Sequence, residues 1–334
     1  MRVGMIGSGV QARRRAAALR PQDRLVAVAG PDTASVQDLA RPAGAAVRRD
    51  WTELLERDAV DAVVVATPPH VHEDSAVAAL GHGVHVLCEK PLAPSAAAAG
   101  RMMRAAAAHR RTLWCGFNHR FHPAVRALGE AVAAGGHGRA LSAIAVYGHA
   151  VRPGYHTEWR ADPAVVSGGQ LMEQGIHLVD LVSTLLWPVR DVFAHLQSSF
   201  GLPAGLEDDA HVLLRSEQGQ VAFVRSSLSQ WRNRFLLEVT LEDATVRVSG
   251  LGGSYGDQTL TVEPRSSGPF TARETVFRGP DPTWREEWEA FCRATQERTL
   301  RTPDESGPRS LAIVEAAYRS ARSGTWADVT TEEQ

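Results

Sequence analysis

The chain is short of cysteine, of net charge and of long apolar runs. Its three cysteines, Cys88, Cys115 and Cys292, lie far apart. No metal or redox spacing joins them, so neither a disulfide framework nor a metal centre is expected. They read as small buried residues suited to a reducing cytoplasm. The formal net charge of -2 offers nothing to nucleic acid or to an anionic membrane. No apolar stretch is long enough to span a bilayer, and no apolar leader precedes the first strand. Lysine is scarce as well. Arginine far outnumbers it and alanine is abundant, a bias that makes an isolated arginine weak evidence of function. What remains is ordinary for a globular protein: 334 residues, 44% hydrophobic and 22% charged, with room for two domains.

Arg2 to Ile6 reads as a strand, and a helix is expected from the next loop to about Leu19. Between them lies Gly7-Ser8-Gly9-Val10-Gln11-Ala12, the G-x-G-x-x-A pattern that seats a dinucleotide pyrophosphate on a helix N-terminus. Gly7 would make the tight turn, Gly9 would let the backbone approach the phosphates, and Ala12 would let the helix pack close to the strand. A bare glycine turn is the bland alternative. A second strand, Leu25 to Ala29, ends in Gly30-Pro31-Asp32. The ribose-binding acid expected at its end is displaced to Asp32, and no arginine follows to receive a 2′-phosphate. Either NAD or NADP is compatible, with NAD preferred.

The third run, Val60 to Ala66, exits through Thr67-Pro68-Pro69-His70-Val71-His72, where the prolines delay the next helix. The fourth, Val84 to Cys88, stops at Glu89-Lys90-Pro91. The alternation of strand and helix implies a doubly wound parallel sheet. Its carboxyl edge would gather the loops at 7–12, 67–72 and 88–91. Gly7, Gly9, Val10, Gln11, Asp32, Thr67, Pro68, His72 and Glu89 are the expected cofactor contacts. His70 and His72 read equally well as loop or cap residues without chemistry. Lys90 is either a solvated strand-end lysine or a proton donor and electrostatic clamp.

After Asn118-His119-Arg120 the pattern changes, which sets expected domains of 1–118 and 119–334. A loop carries Trp159 and Arg160. With Arg120 these are candidate substrate contacts, since aromatic faces pack on sugars and arginine binds anions. A helix is expected from about Gln170 to Leu186, stopped by Pro188. Glu173, His177 and Asp180 recur at i, i+4 and i+7 on it and would share a face. A carboxylate one turn from a histidine can orient the imidazole; the plain alternative is a surface ion pair. Gly175 inside that helix suggests a close approach of backbone or ligand. From Asp191 to Phe277 the pattern is mostly strands, a large, mainly antiparallel, open-faced sheet. Two helices, from about 282 to 296 and 307 to 323, close the chain.

Taken in order, Gly7-to-Ala12, Thr67-Pro68-Pro69-His70, Glu89-Lys90-Pro91, Arg120 and Gly168-to-Asp180 resemble the Gfo/Idh/MocA family, the glucose–fructose oxidoreductase and inositol dehydrogenase relatives. The resemblance covers nearly the whole chain. It implies an α/β fold: an N-terminal Rossmann domain, then a C-terminal α/β domain whose sheet serves homodimers or homotetramers. It implies hydride transfer between NAD(P) and a secondary alcohol of a sugar, polyol or sugar nucleotide. It also places the catalytic roles on Lys90 and His177, with Glu173 where the family often has Asp. Two other readings stay open: a redox-neutral lyase or glycosidase that retains its NAD, and a non-catalytic nicotinamide-binding regulator.

Overall fold

The computed structural model describes residues 1–203, 205–296 and 304–330. The chain divides into two units, residues 1–118 with 282–308, and residues 119–281 with 309–334.

The first unit alternates strand and helix: β1 (Arg2–Ile6), α1 (Val10–Ala17), β2 (Arg24–Ala29), α2 (Thr33–Ala40), β3 (Ala46–Arg48), α3 (Trp51–Arg57), β4 (Ala62–Val65), α4 (His72–Gly81), β5 (His85–Glu89), α5 (Ala96–His109) and β6 (Leu113–Gly116). The strands make one parallel sheet in the order β3-β2-β1-β4-β5-β6. Helices on both faces leave β4 wholly buried, so it reads as the unbroken run Ala62-Val63-Val64-Val65. The order reverses between β1 and β4, and a crevice for a ligand opens at such a point, outside the carboxyl ends of the strands.

The second unit contains α6 (Pro123–Ala133), β7 (Ala140–Ala150), a π-helical turn (Leu171–Gly175) running into α7 (Ile176–Leu185), then β8 (Asp191–Gln197), β9 (Asp209–Arg215), β10 (Val221–Ser227), β11 (Ser229–Leu241), β12 (Ala244–Ser249), β13 (Gln258–Pro264) and β14 (Arg273–Phe277). After α8 (Thr283–Gln296) and α9 (Ser306–Ser323), β15 (Ala327–Asp328) closes the sheet. Nine strands lie in the order β14-β13-β12-β11-β7-β10-β9-β8-β15. All pairs are antiparallel except β7 with β10.

One boundary differs from the expected division at residue 118. The segment from 282 to 308 groups with the first unit. The reason lies in α8: Trp288, Phe291 and Cys292 belong to the same buried cluster as Val3, Met5, Val28 and Val64. The Trp288 indole N–H also donates to Asp23 at 2.8 Å. A chain-order reading does not see a helix return to the first core.

Candidate active site

At the switch point of the first unit, the exits of β1 and β4 nearly touch. Gly7 has φ +110°, and a Cβ there would lie 2.5 Å from the Ala66 carbonyl oxygen. Only glycine fits this turn. Gly9 is the N-cap of α1, and no side chain caps that helix. A Cβ on Gly9 would meet nothing within 4 Å, so the space before the helix N-terminus is open. Val10, next in line, is 66% exposed. The buried Thr67 hydroxyl lacks a partner among the described residues. An open, uncapped helix N-terminus after a glycine turn fits a dinucleotide phosphate. Pro68 is extended and leads into the single 3-10 turn Pro69–Val71.

Asp32 stands exposed at the exit of β2 and caps α2, accepting from the Ser35 amide at 3.3 Å. The Ser35 hydroxyl donates to the Ser8 carbonyl at 3.0 Å, tying this cap to the glycine loop. Arg13 reaches the same spot, 3.5 Å from the Ser35 hydroxyl oxygen. The strand-end reading missed that cation because it comes from α1.

Two of the expected cofactor contacts, His72 and Glu89, are buried and hydrogen-bonded within the protein. His72 is fully buried, with its ring nitrogens 2.9 Å from the carbonyl oxygens of Pro91 and Thr67. Burial lowers its pKa, and a ring with no exposed surface ties the 67 and 91 loops together from behind. Glu89 accepts from Arg15 at 2.7 Å, and Arg15 also donates to Glu287 of α8 at 2.5 Å. All three are buried. Gly116 makes room for Arg15, since a Cβ there would lie 2.7 Å from its guanidinium. The network anchors the end of β5, where half-buried Lys90 follows and its peptide to Pro91 is cis.

In the second unit the expected helix begins with the π turn and becomes α-helical at Ile176. Such turns frequently mark functional sites. Gly175 packs closely against β10: a Cβ would lie 3.0 Å from that of Ser226, and 2.7 Å from the Leu171 side chain. Buried Glu207 accepts from the amides of Gly169 (3.1 Å) and Leu171 (2.7 Å), and from the Tyr318 hydroxyl (3.1 Å). It thereby caps the turn that leads to His177. Glu173 pairs with Arg160 at 3.2 Å, and the Arg160 guanidinium lies 4.3 Å from the centre of the Trp159 ring. Arg120 grips Asp180, through Nε at 2.7 Å and through Nη2, and reaches the Thr184 hydroxyl at 3.2 Å. Its guanidinium therefore braces α7. His177 is buried, and the His119 ring stacks on it with centroids 3.8 Å apart. No sequence spacing links residues 119 and 177, so this neighbour was not foreseen. Among the described residues no group of His, Cys, Asp and Glu is arranged to hold a metal ion.

Residues 1–117 match the oxidoreductase family with an NAD-binding Rossmann fold, Gfo/Idh/MocA, and residues 125–255 match a C-terminal domain of that family. Inositol 2-dehydrogenase 4 of Saccharopolyspora erythraea is 30% identical over 261 residues, 76% of this chain and 75% of that one. The chain belongs to the Gfo/Idh/MocA family. It is an NAD(P)-dependent oxidoreductase acting on CH–OH groups. The inositol 2-dehydrogenase of Rubrobacter xylanophilus is 26% identical, covering 99% of this chain and 94% of its own. D-xylose 1-dehydrogenase (NADP(+)) 2 of Haloferax volcanii is 28% identical over 82% of each chain. A levoglucosan dehydrogenase solved with NADH shares the fold at TM-score 0.89 and 21% identity, over 99% of both chains.

Proposed function

We propose that this enzyme oxidises a ring hydroxyl of a sugar or polyol with NAD, using Lys90 and His177. One observation carries the assignment of Lys90. It is the only lysine among the chain's 36 lysines and arginines. A composition that uses arginine at every other basic position has a lysine at the exit of β5. A solvated strand-end charge needs no lysine. Close contact with a single reacting oxygen does, because an ammonium is a compact point charge while a guanidinium is a broad planar fork.

Bound NAD supplies the hydride acceptor at C4 of its nicotinamide. Gly7, Gly9, Val10 and Gln11 would hold the pyrophosphate through backbone amides, with Thr67 beside it and Asp32 at the adenosine ribose. His177 takes the hydroxyl proton as general base, and Lys90 neutralises the developing alkoxide. Glu173, held by Arg160, hydrogen-bonds a neighbouring hydroxyl, and the Trp159 face packs on the ring. Inositol, xylose and levoglucosan dehydrogenases are among its relatives, which supports a polyhydroxylated ring as substrate. The position of Arg13 beside Ser35 favours a second cofactor reading, with NADP held through its 2′-phosphate. The open face of the nine-stranded sheet, with Ile144 42% exposed, is proposed to pair copies of the chain. The three buried free cysteines suit a cytoplasmic location.

The test is a screen of polyols and aldoses with NAD and NADP, with His177→Gln alongside. Turnover with NAD that falls about a thousandfold in the variant supports the reading. Turnover that survives His177→Gln removes the base assignment, and tighter binding of NADPH than NADH selects the Arg13 site.

A further inference from the structure

We propose that Gln170 is a substrate-binding residue: its buried side-chain amide takes a hydroxyl of the polyol next to the one held at Glu173. The proposal rests on the polyol reading of the site. Gln170 opens the π turn that leads to His177, and it is 2% exposed. Neither the nitrogen nor the oxygen of its side-chain amide has a hydrogen-bond partner among the described residues. Its backbone, by contrast, is fully used. The backbone N–H donates to the Glu207 carbonyl at 2.8 Å, and the Gln170 carbonyl accepts from the Ser226 hydroxyl of β10 at 3.1 Å.

The turn around Gln170 is pinned. A Cβ on Gly168 would lie 2.1 Å from the Tyr318 hydroxyl oxygen, and one on Gly169 would lie 2.1 Å from the Glu207 carbonyl oxygen. The Glu207 carboxylate is already engaged by the amides of Gly169 and Leu171 and by the Tyr318 hydroxyl. Folded proteins leave few buried polar atoms unpaired, and an amide bare at both ends lowers stability until something hydrogen-bonds it. The amide also states what that partner must offer. Its NH2 donates twice and its oxygen accepts twice, without charge. A hydroxyl both donates and accepts, so one hydroxyl or two neighbouring ones match it. A carboxylate or an ammonium would satisfy one end alone. The Glu173 backbone N–H donates to the Gly169 carbonyl at 2.9 Å, the spacing of an α-helical turn, so Gln170 and Glu173 are neighbours three residues apart on the helix surface. Gln170 is as enclosed as His177, which is 4% exposed, so a substrate that reaches the proposed base reaches this depth in any case.

Gln170→Met keeps the length of the side chain and removes the amide. The full-length enzyme is followed by its melting temperature without substrate and by steady-state kinetics with myo-inositol, D-xylose and levoglucosan. Because the amide has no partner inside the folded chain, the variant is expected to melt at or above the wild-type temperature. Its kcat/KM for the preferred compound of the three is expected to fall about ten- to a hundredfold, mostly through KM. A variant that melts several degrees lower overturns the proposal, since the amide would then be held by a buried water or by the chain itself. An unchanged kcat/KM overturns it too. If Gln170→Met does not fold, Gln170→Leu takes its place, and failure of both to fold counts against the proposal in the same way. A wild type that turns over none of the three compounds sinks the polyol reading, a result that needs no variant; loss of the Gln170 proposal alone leaves wild-type turnover intact.

Discussion

Arg15 sits between two buried carboxylates and balances only one of them. Burial pushes Glu287 up to about 7, against the pull of Arg15, while Glu89 adds to the negative charge. The folded chain therefore holds a proton on Glu287 that the unfolded chain has released above about pH 4.5. The sign follows: this contribution is fully present below pH 4.5 and is lost as pH rises through about 7. Melting temperatures measured from pH 5 to 8 are expected to fall along this window in the wild type. The decline should be flatter in Glu287→Gln, and parallel curves would contradict the assignment. The motif carrying Lys90 is legible in the sequence because a strand that stops at a charged pair and a proline is a local pattern. The support behind it is not: Arg15, Glu89 and Glu287 come from three distant stretches, and nothing local marks the meeting of α1, β5 and α8.

Among the elements, the helix carrying His177 shows where periodicity runs out. Its apolar side, its stop at Pro188 and the tight packing of Gly175 are all readable from residue type. The π turn is not, since Leu171–Gly175 is about one turn, too short for a different period to show in the pattern of apolar side chains. Nor is the cap, because Glu207 lies 36 residues beyond Leu171, whose amide it accepts. Glu207→Ala would leave two buried amides and the Tyr318 hydroxyl without their acceptor. The expected cost is about 3 kcal/mol or more, read by denaturant unfolding, with loss of turnover and retained NADH binding. A variant as stable as the wild type would show that the cap is dispensable. The paired strands from Asp191 to Phe277 are legible by alternation, but the parallel pairing of β7 with β10 is not. It depends on which strands meet after long excursions.

At the scale of the whole molecule, the first core is completed from the far end of the chain. Trp288 is 1% exposed within it, and Arg285 donates to the Ala18 carbonyl at 2.7 Å. A fragment ending at residue 118 is therefore expected to be unstable alone, and its circular dichroism should lack a cooperative melt. Trp288→Ala in the full chain should cost about 3–5 kcal/mol. A well-folded 1–118 fragment would restore the simple division at that residue.

The central claim is that Lys90 is present for a chemistry arginine cannot perform. Lys90→Arg tests it most directly, because the variant keeps the positive charge and removes every lysine from the chain. Steady-state turnover with the best alcohol substrate, alongside an NADH titration followed by tryptophan energy transfer, gives the answer. The account predicts a loss in kcat of about a thousandfold or more with NADH still bound. An arginine variant that turns over near the wild-type rate would mean that only the charge matters at this position, and the special role of the Lys90 ammonium at the reacting oxygen would be wrong.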